Sequence, residues 1–153
     1  MACKYLGMVD AALGKILVVE DDDTERESAA ELLCLWGYEA KTACDGLQAL
    51  QEISLASFDL VISDLRMPRM SGIELLKELG HQLHSVSCII MSGEGSWCEE
   101  IEAIRLGAYS FLEKPVDPDR LRAEVRDCLA ARINIDRDRS PASALRPGLP
   151  APL

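Results

Sequence analysis

Five short apolar runs punctuate the chain, and between them lie segments whose apolar residues recur at helical spacing. The runs are Lys15–Val19, Glu39–Ala43, Asp59–Ser63, Ser87–Met91 and Ser110–Glu113. The first, third and fourth are almost wholly apolar, as strands buried on both faces are; the second carries Glu39 and Lys41 and reads as an edge. The intervening segments open on helix-start signals: Thr24-x-x-Glu27, Asp45-x-x-Gln48, Ser71-x-x-Glu74, Ser96-x-x-Glu99, and Asp117 followed by Pro118. The first helical segment offers Ala29, Leu32, Leu33 and Trp36 to a core and stops at Gly37. The last offers Leu121, Val125, Cys128 and Leu129.

Strict alternation of strand and helix predicts an α/β fold, a doubly wound five-stranded parallel sheet covered by five helices. With the second strand at an edge, the strand order is 2-1-3-4-5, flavodoxin-like, and a ligand crevice is expected at the carboxyl ends of strands one and three. Those two strands both stop on acids. The first runs into Glu20-Asp21-Asp22-Asp23, and the third reaches Asp64 before the loop Leu65–Gly72. One acidic pocket is therefore expected at the sheet edge. Clustered carboxylates repel one another, and the ligand that relieves them is a hard cation.

Bulk properties narrow the field. At 153 residues and 48 % hydrophobic content the chain can bury one real core. A formal charge of −10 argues against a nucleic-acid surface of its own. No run approaches the ~20 apolar residues of a membrane span, and no secretory signal is evident. The six cysteines (Cys3, Cys34, Cys44, Cys88, Cys98, Cys128) show no metal spacing, so reduced thiols in a cytoplasmic protein are expected. His81 and His84 lack a metal-spaced partner, and Gly93 with Gly95 does not make a dinucleotide fingerprint. The organisation expected is an extension at 1–14, one domain at 15–132, and a disordered or extended tail at 133–153 containing four prolines. Trp97 is expected at the entry to the fourth helix, with loop packing as its role.

Four elements occur in order: Glu20-Asp21 after strand one, Asp64 after strand three, Ser92 after strand four, and Lys114-Pro115 after strand five. Through the segments ILVVEDDD, DLVISDLRMPRMSG, IIMSGEG and GAYSFLEKP, residues 15–132 resemble the receiver domain of two-component response regulators. The resemblance implies that Asp64 is the phosphoacceptor, taking a phosphoryl group from a phosphohistidine of a sensor kinase or phosphotransfer protein. It implies Mg²⁺ as cofactor, held by Asp21 and Asp64, by Glu20 through water, and by the backbone carbonyl of Arg66. Lys114 would bind a phosphoryl oxygen, Ser92 would be the switch hydroxyl, and Phe111 the switch aromatic. Arg66 and Glu94 stand where the family tunes access of hydrolytic water, and the Lys114–Pro115 bond is expected to be cis. Output is expected through the face made by the fourth helix, fifth strand and fifth helix, to a protein partner or in a phosphorylation-dependent dimer. No direct contact with nucleic acid or membrane is expected. Such a protein is not an enzyme beyond its own phosphorylation and dephosphorylation. Two other readings stand beside it: a small Mg²⁺-dependent phosphatase with an aspartate nucleophile, for which Asp21-Asp22-Asp23-Thr24 is a poor match, and a phosphate-independent binding module on the same fold.

Overall fold

The structure, a computed structural model, describes residues 12–81, 86–94 and 96–139. Five strands alternate with five helices: β1 (Lys15–Val19), α1 (Asp23–Leu35), β2 (Glu39–Ala43), α2 (Gly46–Leu55), β3 (Leu60–Asp64), α3 (Gly72–His81), β4 (Ser87–Ser92), α4 (Trp97–Arg105), β5 (Ser110–Glu113) and α5 (Pro118–Arg139). The strands form one parallel sheet in the order β2-β1-β3-β4-β5. The fold class and strand order agree with the sequence expectation.

Period-two alternation sends each strand's side chains to two cores. Leu17, Val19, Val61, Cys88 and Ile90 pack with Ala49 and Ile53 of α2, Ile73, Leu75, Leu76 and Leu79 of α3, and Ala103 of α4. Ile16, Val18, Leu60, Ile62, Ile89, Met91 and Leu112 pack on the opposite side with Leu33 of α1 and Leu121, Val125, Cys128 and Leu129 of α5. Burial on both faces is why β1, β3 and β4 read as continuous apolar runs rather than alternating ones.

The helix starts follow the side-chain oxygens that satisfy free backbone donors. Ser96 and Glu99 form a reciprocal capping box at α4, and Ser71 with Glu74 exchanges the same pair of bonds at α3, at 3.2 and 2.8 Å. Asp45 caps α2 by accepting from the Gln48 N–H at 2.9 Å. At α1 the expectation from Thr24 and Glu27 fails: the cap is Asp22, in extended conformation, accepting from the Glu25 N–H at 2.9 Å.

Other departures are local. β3 starts at Leu60 rather than Asp59, because the Asp59 carboxylate accepts the Lys15 N–H at 2.8 Å and closes the amino edge instead. α5 runs to Arg139, so residues 133–139 of the expected disordered or extended tail are helical; no proline lies between Pro118, at the helix start, and Pro141. Trp97 stands at the entry to the fourth helix as expected, as the first residue of α4, but it is exposed rather than packed. Cys34 is disulfide-bonded, which corrects the expectation of reduced thiols at that position, whereas Cys44, Cys88, Cys98 and Cys128 are free. Cys3, His84, Gly95, the extension through residue 11 and the tail from residue 140 lie outside the described residues. Among the described residues no helix is long and apolar enough to cross a membrane.

Candidate functional site

The strand ends reach the carboxyl edge at one level because the ladder continues for a residue beyond the strands. The Glu20 N–H donates to the Ala43 carbonyl at 3.1 Å, the Leu65 N–H to Met91 at 2.8 Å, and the Lys114 N–H to Ser92 at 2.8 Å. Asp64 pairs in register with Met91, one residue before Ser92. Lys114 therefore enters over β4 from β5, and Glu20 enters from β1 on the other side of β3. The Lys114–Pro115 bond is cis.

Carboxylate oxygens of Glu20, Asp21 and Asp64 lie within 4.8 Å of one another. Glu20 and Asp64 are buried and Asp21 is exposed. Among the described residues, Lys114 is the cation bonded to these carboxylate oxygens, while Arg26 bonds the Glu20 carbonyl beside them. Lys114 Nζ donates to Glu20 Oε2 at 2.7 Å and lies 3.4 Å from Asp64 Oδ1. The Lys114 ammonium does not balance three acids, and the directions of the pKa shifts reflect it. Burial lifts Glu20 to about 7, against the bonds from Lys114 and the Asp22 N–H, with the charge of Asp64 adding to the rise. Burial also raises Asp64, opposed by Lys114. Burial works against the charge of Lys114 too, but its bonds to Glu20 and Glu25 and the field of Asp64 outweigh that and hold its pKa above the ordinary lysine range. An all-oxygen set of this kind, short of positive charge, fits a hard divalent cation and not a soft metal.

Of the remaining residues singled out from the sequence, Ser92 is buried at the end of β4, and its Oγ accepts the Glu94 N–H at 3.3 Å. Phe111 is half-buried in β5, paired in register with Ile90 and packed against the core under α2, α3 and α4. The Arg66 side chain turns outward, donating to the Glu94 carbonyl at 3.3 Å and to Glu99 Oε1 at 3.2 Å, so it bridges the loops after β3 and β4.

Three contacts were not anticipated. Glu25 Oε2 accepts from Lys114 Nζ at 2.6 Å, forming a third carboxylate contact of that amine. Arg26 Nη1 donates to the Glu20 carbonyl at 2.8 Å and ties the first turn of α1 to the end of β1. Arg69, at φ 67, pairs with the buried carboxylate of Asp45. A clue to Glu25 was present: it is an acid in the first turn of a helix that starts beside the pocket. Its lysine lies 89 residues away and is visible only once the sheet is assembled.

Comparison with known proteins decides the family. Residues 16–126 match the response regulator receiver domain. The chain belongs to the response regulator receiver family. It is 41 % identical over 115 residues to the transcriptional regulatory protein ZraR of Klebsiella oxytoca, covering 75 % of this chain and 26 % of that one. It is 39 % identical over 116 residues to the transcriptional regulatory protein FixJ of Bradyrhizobium diazoefficiens, covering 76 % of this chain and 57 % of that one. Among solved structures, the chemotaxis protein CheY4 of Vibrio cholerae superposes with a TM-score of 0.72 at 33 % identity, over 76 % of this chain and 99 % of that one. The receiver thus spans only part of these two curated relatives, and its similarity to the chemotaxis protein extends over nearly all of that chain. The fold and the place in two-component signal transduction follow from this membership.

Proposed function

We propose that this receiver accepts a phosphoryl group on Asp64 from a phosphohistidine of a sensor kinase or phosphotransfer protein, with Mg²⁺, and signals through the α4-β5-α5 face to a protein partner. The observation that carries the reading is the buried Asp64 carboxylate flanked by Lys114 Nζ at 3.4 Å and by the Glu20 and Asp21 carboxylates within 4.8 Å.

A carboxylate attacks an anionic phosphoryl group poorly unless charge is neutralised around both. In the step proposed, an Asp64 carboxylate oxygen forms a bond to phosphorus. The phosphorus–nitrogen bond to the donor imidazole breaks, its electron pair stays on the ring nitrogen, and an acyl phosphate results. Lys114 would bind one phosphoryl oxygen. Glu20, Asp21, Asp64 and the carbonyl of Arg66 would hold Mg²⁺, with Glu20 acting through water. The ion would supply the positive charge that Lys114 alone does not.

Ser92 would report the new group. Its hydroxyl proton is free to turn toward a phosphoryl oxygen, and its bond from the Glu94 N–H is long at 3.3 Å. Phe111, half-buried on the neighbouring strand, is the side chain that would repack when Ser92 moves. The output surface is supported by α4, where Trp97, Ile101 and Ile104 are 84 %, 48 % and 48 % exposed at i, i+4 and i+7. An apolar stripe at that spacing suits a protein surface, either a target or a second copy in a phosphorylation-dependent dimer. A net charge of −10 supports a protein rather than nucleic acid as the direct contact, and the cytoplasm is where a kinase-fed receiver would work.

The test is intact mass after incubation with acetyl phosphate, with and without Mg²⁺, wild type beside Asp64→Asn. A single adduct of about 80 Da that needs both Mg²⁺ and Asp64 supports the reading. An adduct that survives Asp64→Asn would sink it. Steady turnover of a generic phosphoester would favour the phosphatase alternative, and partner binding unaffected by Asp64→Asn the phosphate-independent one.

A further inference from the structure

The amine of Lys114 has three N–H donors, and two are committed elsewhere before any phosphoryl group arrives. It lies 2.7 Å from Glu20 Oε2 and 2.6 Å from Glu25 Oε2, but 3.4 Å from Asp64 Oδ1, beyond the usual range of an N–H···O bond. Glu20 belongs to the cluster that fits a cation. Glu25 does not: the carboxylates within reach of one another are Glu20, Asp21 and Asp64. Once the cluster is occupied by a cation, Glu25 is the anion left competing for Lys114.

Glu25 is held in place by its own helix. Its N–H donates to the Asp22 cap at 2.9 Å, and the next residue, Arg26, bonds the Glu20 carbonyl at 2.8 Å and pairs with Asp23. An acid in the first turn is also favoured by the helix dipole. The carboxylate is thus presented to Lys114 by the start of α1 rather than reaching it by chance.

We propose that Glu25 is a positioning residue that draws Lys114 toward α1 and away from Asp64, so that a phosphoryl group must take the lysine from Glu25. This rests on the phosphoacceptor reading above and adds a determinant of how tightly the pocket holds its phosphoryl group. The Glu25 side chain is 56 % exposed and that of Lys114 20 %, so water screens the pair and its effect is a bias rather than a block.

The probe is beryllium fluoride with saturating Mg²⁺, a non-covalent phosphoryl mimic, its binding to the full chain followed by ¹⁹F NMR. Glu25→Gln is expected to bind the mimic about two- to fivefold tighter than wild type, the size of one half-exposed ion pair. Glu25→Asp keeps the charge but is one methylene shorter, and is expected to tighten binding in the same direction. If Glu25→Asp matches wild type while Glu25→Gln tightens, the effect is one of field alone and the positioning role is overturned. Unchanged or weaker binding in both variants overturns it as well. Failure of the parent reading is distinct: wild type would not bind the mimic, or Asp64→Asn would bind it as well as wild type.

Discussion

Two buried aspartates stand at the same edge of the sheet, one beyond β2 and one at the end of β3, and they behave in opposite ways. After β2, Asp45 accepts from the Gln48 N–H at 2.9 Å and pairs with Arg69 from the neighbouring loop. Its pKa is lowered, first by the Gln48 bond and then by Arg69, against the cost of burial. After β3, Asp64 shares one lysine with Glu20 and Glu25, and its pKa is raised, because burial outweighs what Lys114 returns. Each carboxylate is buried, Asp64 as the last residue of β3 and Asp45 two residues beyond β2. One is solved internally and serves as structure. The other is left short of positive charge, a deficit that the proposed cation would relieve.

The two corners also differ in how closely the backbone is packed, and this gives the largest effect expected. Both following helices begin with a buried glycine. A Cβ at Gly72 would stand 2.5 Å from the Asp64 carbonyl oxygen and 3.1 Å from Leu65 Cα, both backbone atoms at the turn out of β3. A Cβ at Gly46 would meet Met70 at 2.7 Å from Cγ, a flexible side chain that can turn away. Gly72→Ala should therefore cost about 2–3 kcal/mol in urea unfolding, and Gly46→Ala about 1 kcal/mol. Equal losses would mean that the α3 corner is no more tightly built than the α2 corner, and the comparison would break there.

Charge removal should separate the corners by sign. Asp45→Ala removes the α2 cap and the Arg69 partner, at a cost of about 1–2 kcal/mol. Asp64→Asn, in Mg²⁺-free buffer, should raise the urea midpoint, since it relieves repulsion with Glu20 and leaves Lys114 its two shorter bonds. A fall at both positions would show that Asp64 is structurally satisfied after all. Within the acidic pocket, Asp21→Asn should weaken Mg²⁺ binding in a metal titration, and unchanged affinity would remove this exposed acid from the ligand set.

Much of this contrast was legible before the structure. The apolar runs marked all five strands, most clearly β1, β3 and β4, because strands buried on both faces leave no polar alternation to confuse the pattern. The resemblance supplied Glu20, Asp21, Asp64 and Lys114, and the fold brings them to one edge. What escaped were interactions that depend on where two distant loops meet. Asp45 reads as a cap in sequence, and nothing local predicts that Arg69 will reach it. Glu25 reads as one more acid in an acidic run until β5 sets Lys114 beside it. The failed α1 cap has the same origin. Thr24 and Glu27 fit a capping box, but Asp22 is the stronger cap and is the residue that the end of β1 leaves extended. The length of α5 was missed for another reason: composition marked the prolines but not how far a helix runs before the first of them.

The smallest effect is a pH slope. Glu20 ordinarily titrates at 4.5 and is raised to about 7 in the fold, with Asp64, Asp21, Lys114, Glu25 and Arg26 as its charged neighbours. Between those two values the folded state holds a proton that the unfolded state has released. Metal-free protein must then lose stability as pH rises from about 4.5 to about 7 through this group. The informative quantity is a difference: Glu20→Gln should show a flatter fall in thermal midpoint over that window than wild type. Asp45→Asn should leave that window unchanged and show a difference of opposite sign below pH 3.8, because a lowered pKa contributes stability above its unfolded value and loses it as pH falls. Saturating Mg²⁺ should erode the wild-type slope, since the ion binds the ionised carboxylates and gains most where the proton has left. A slope indifferent to both Glu20→Gln and Mg²⁺ would mean that the pocket's charge is balanced without a ligand. The two corners would then differ in packing alone.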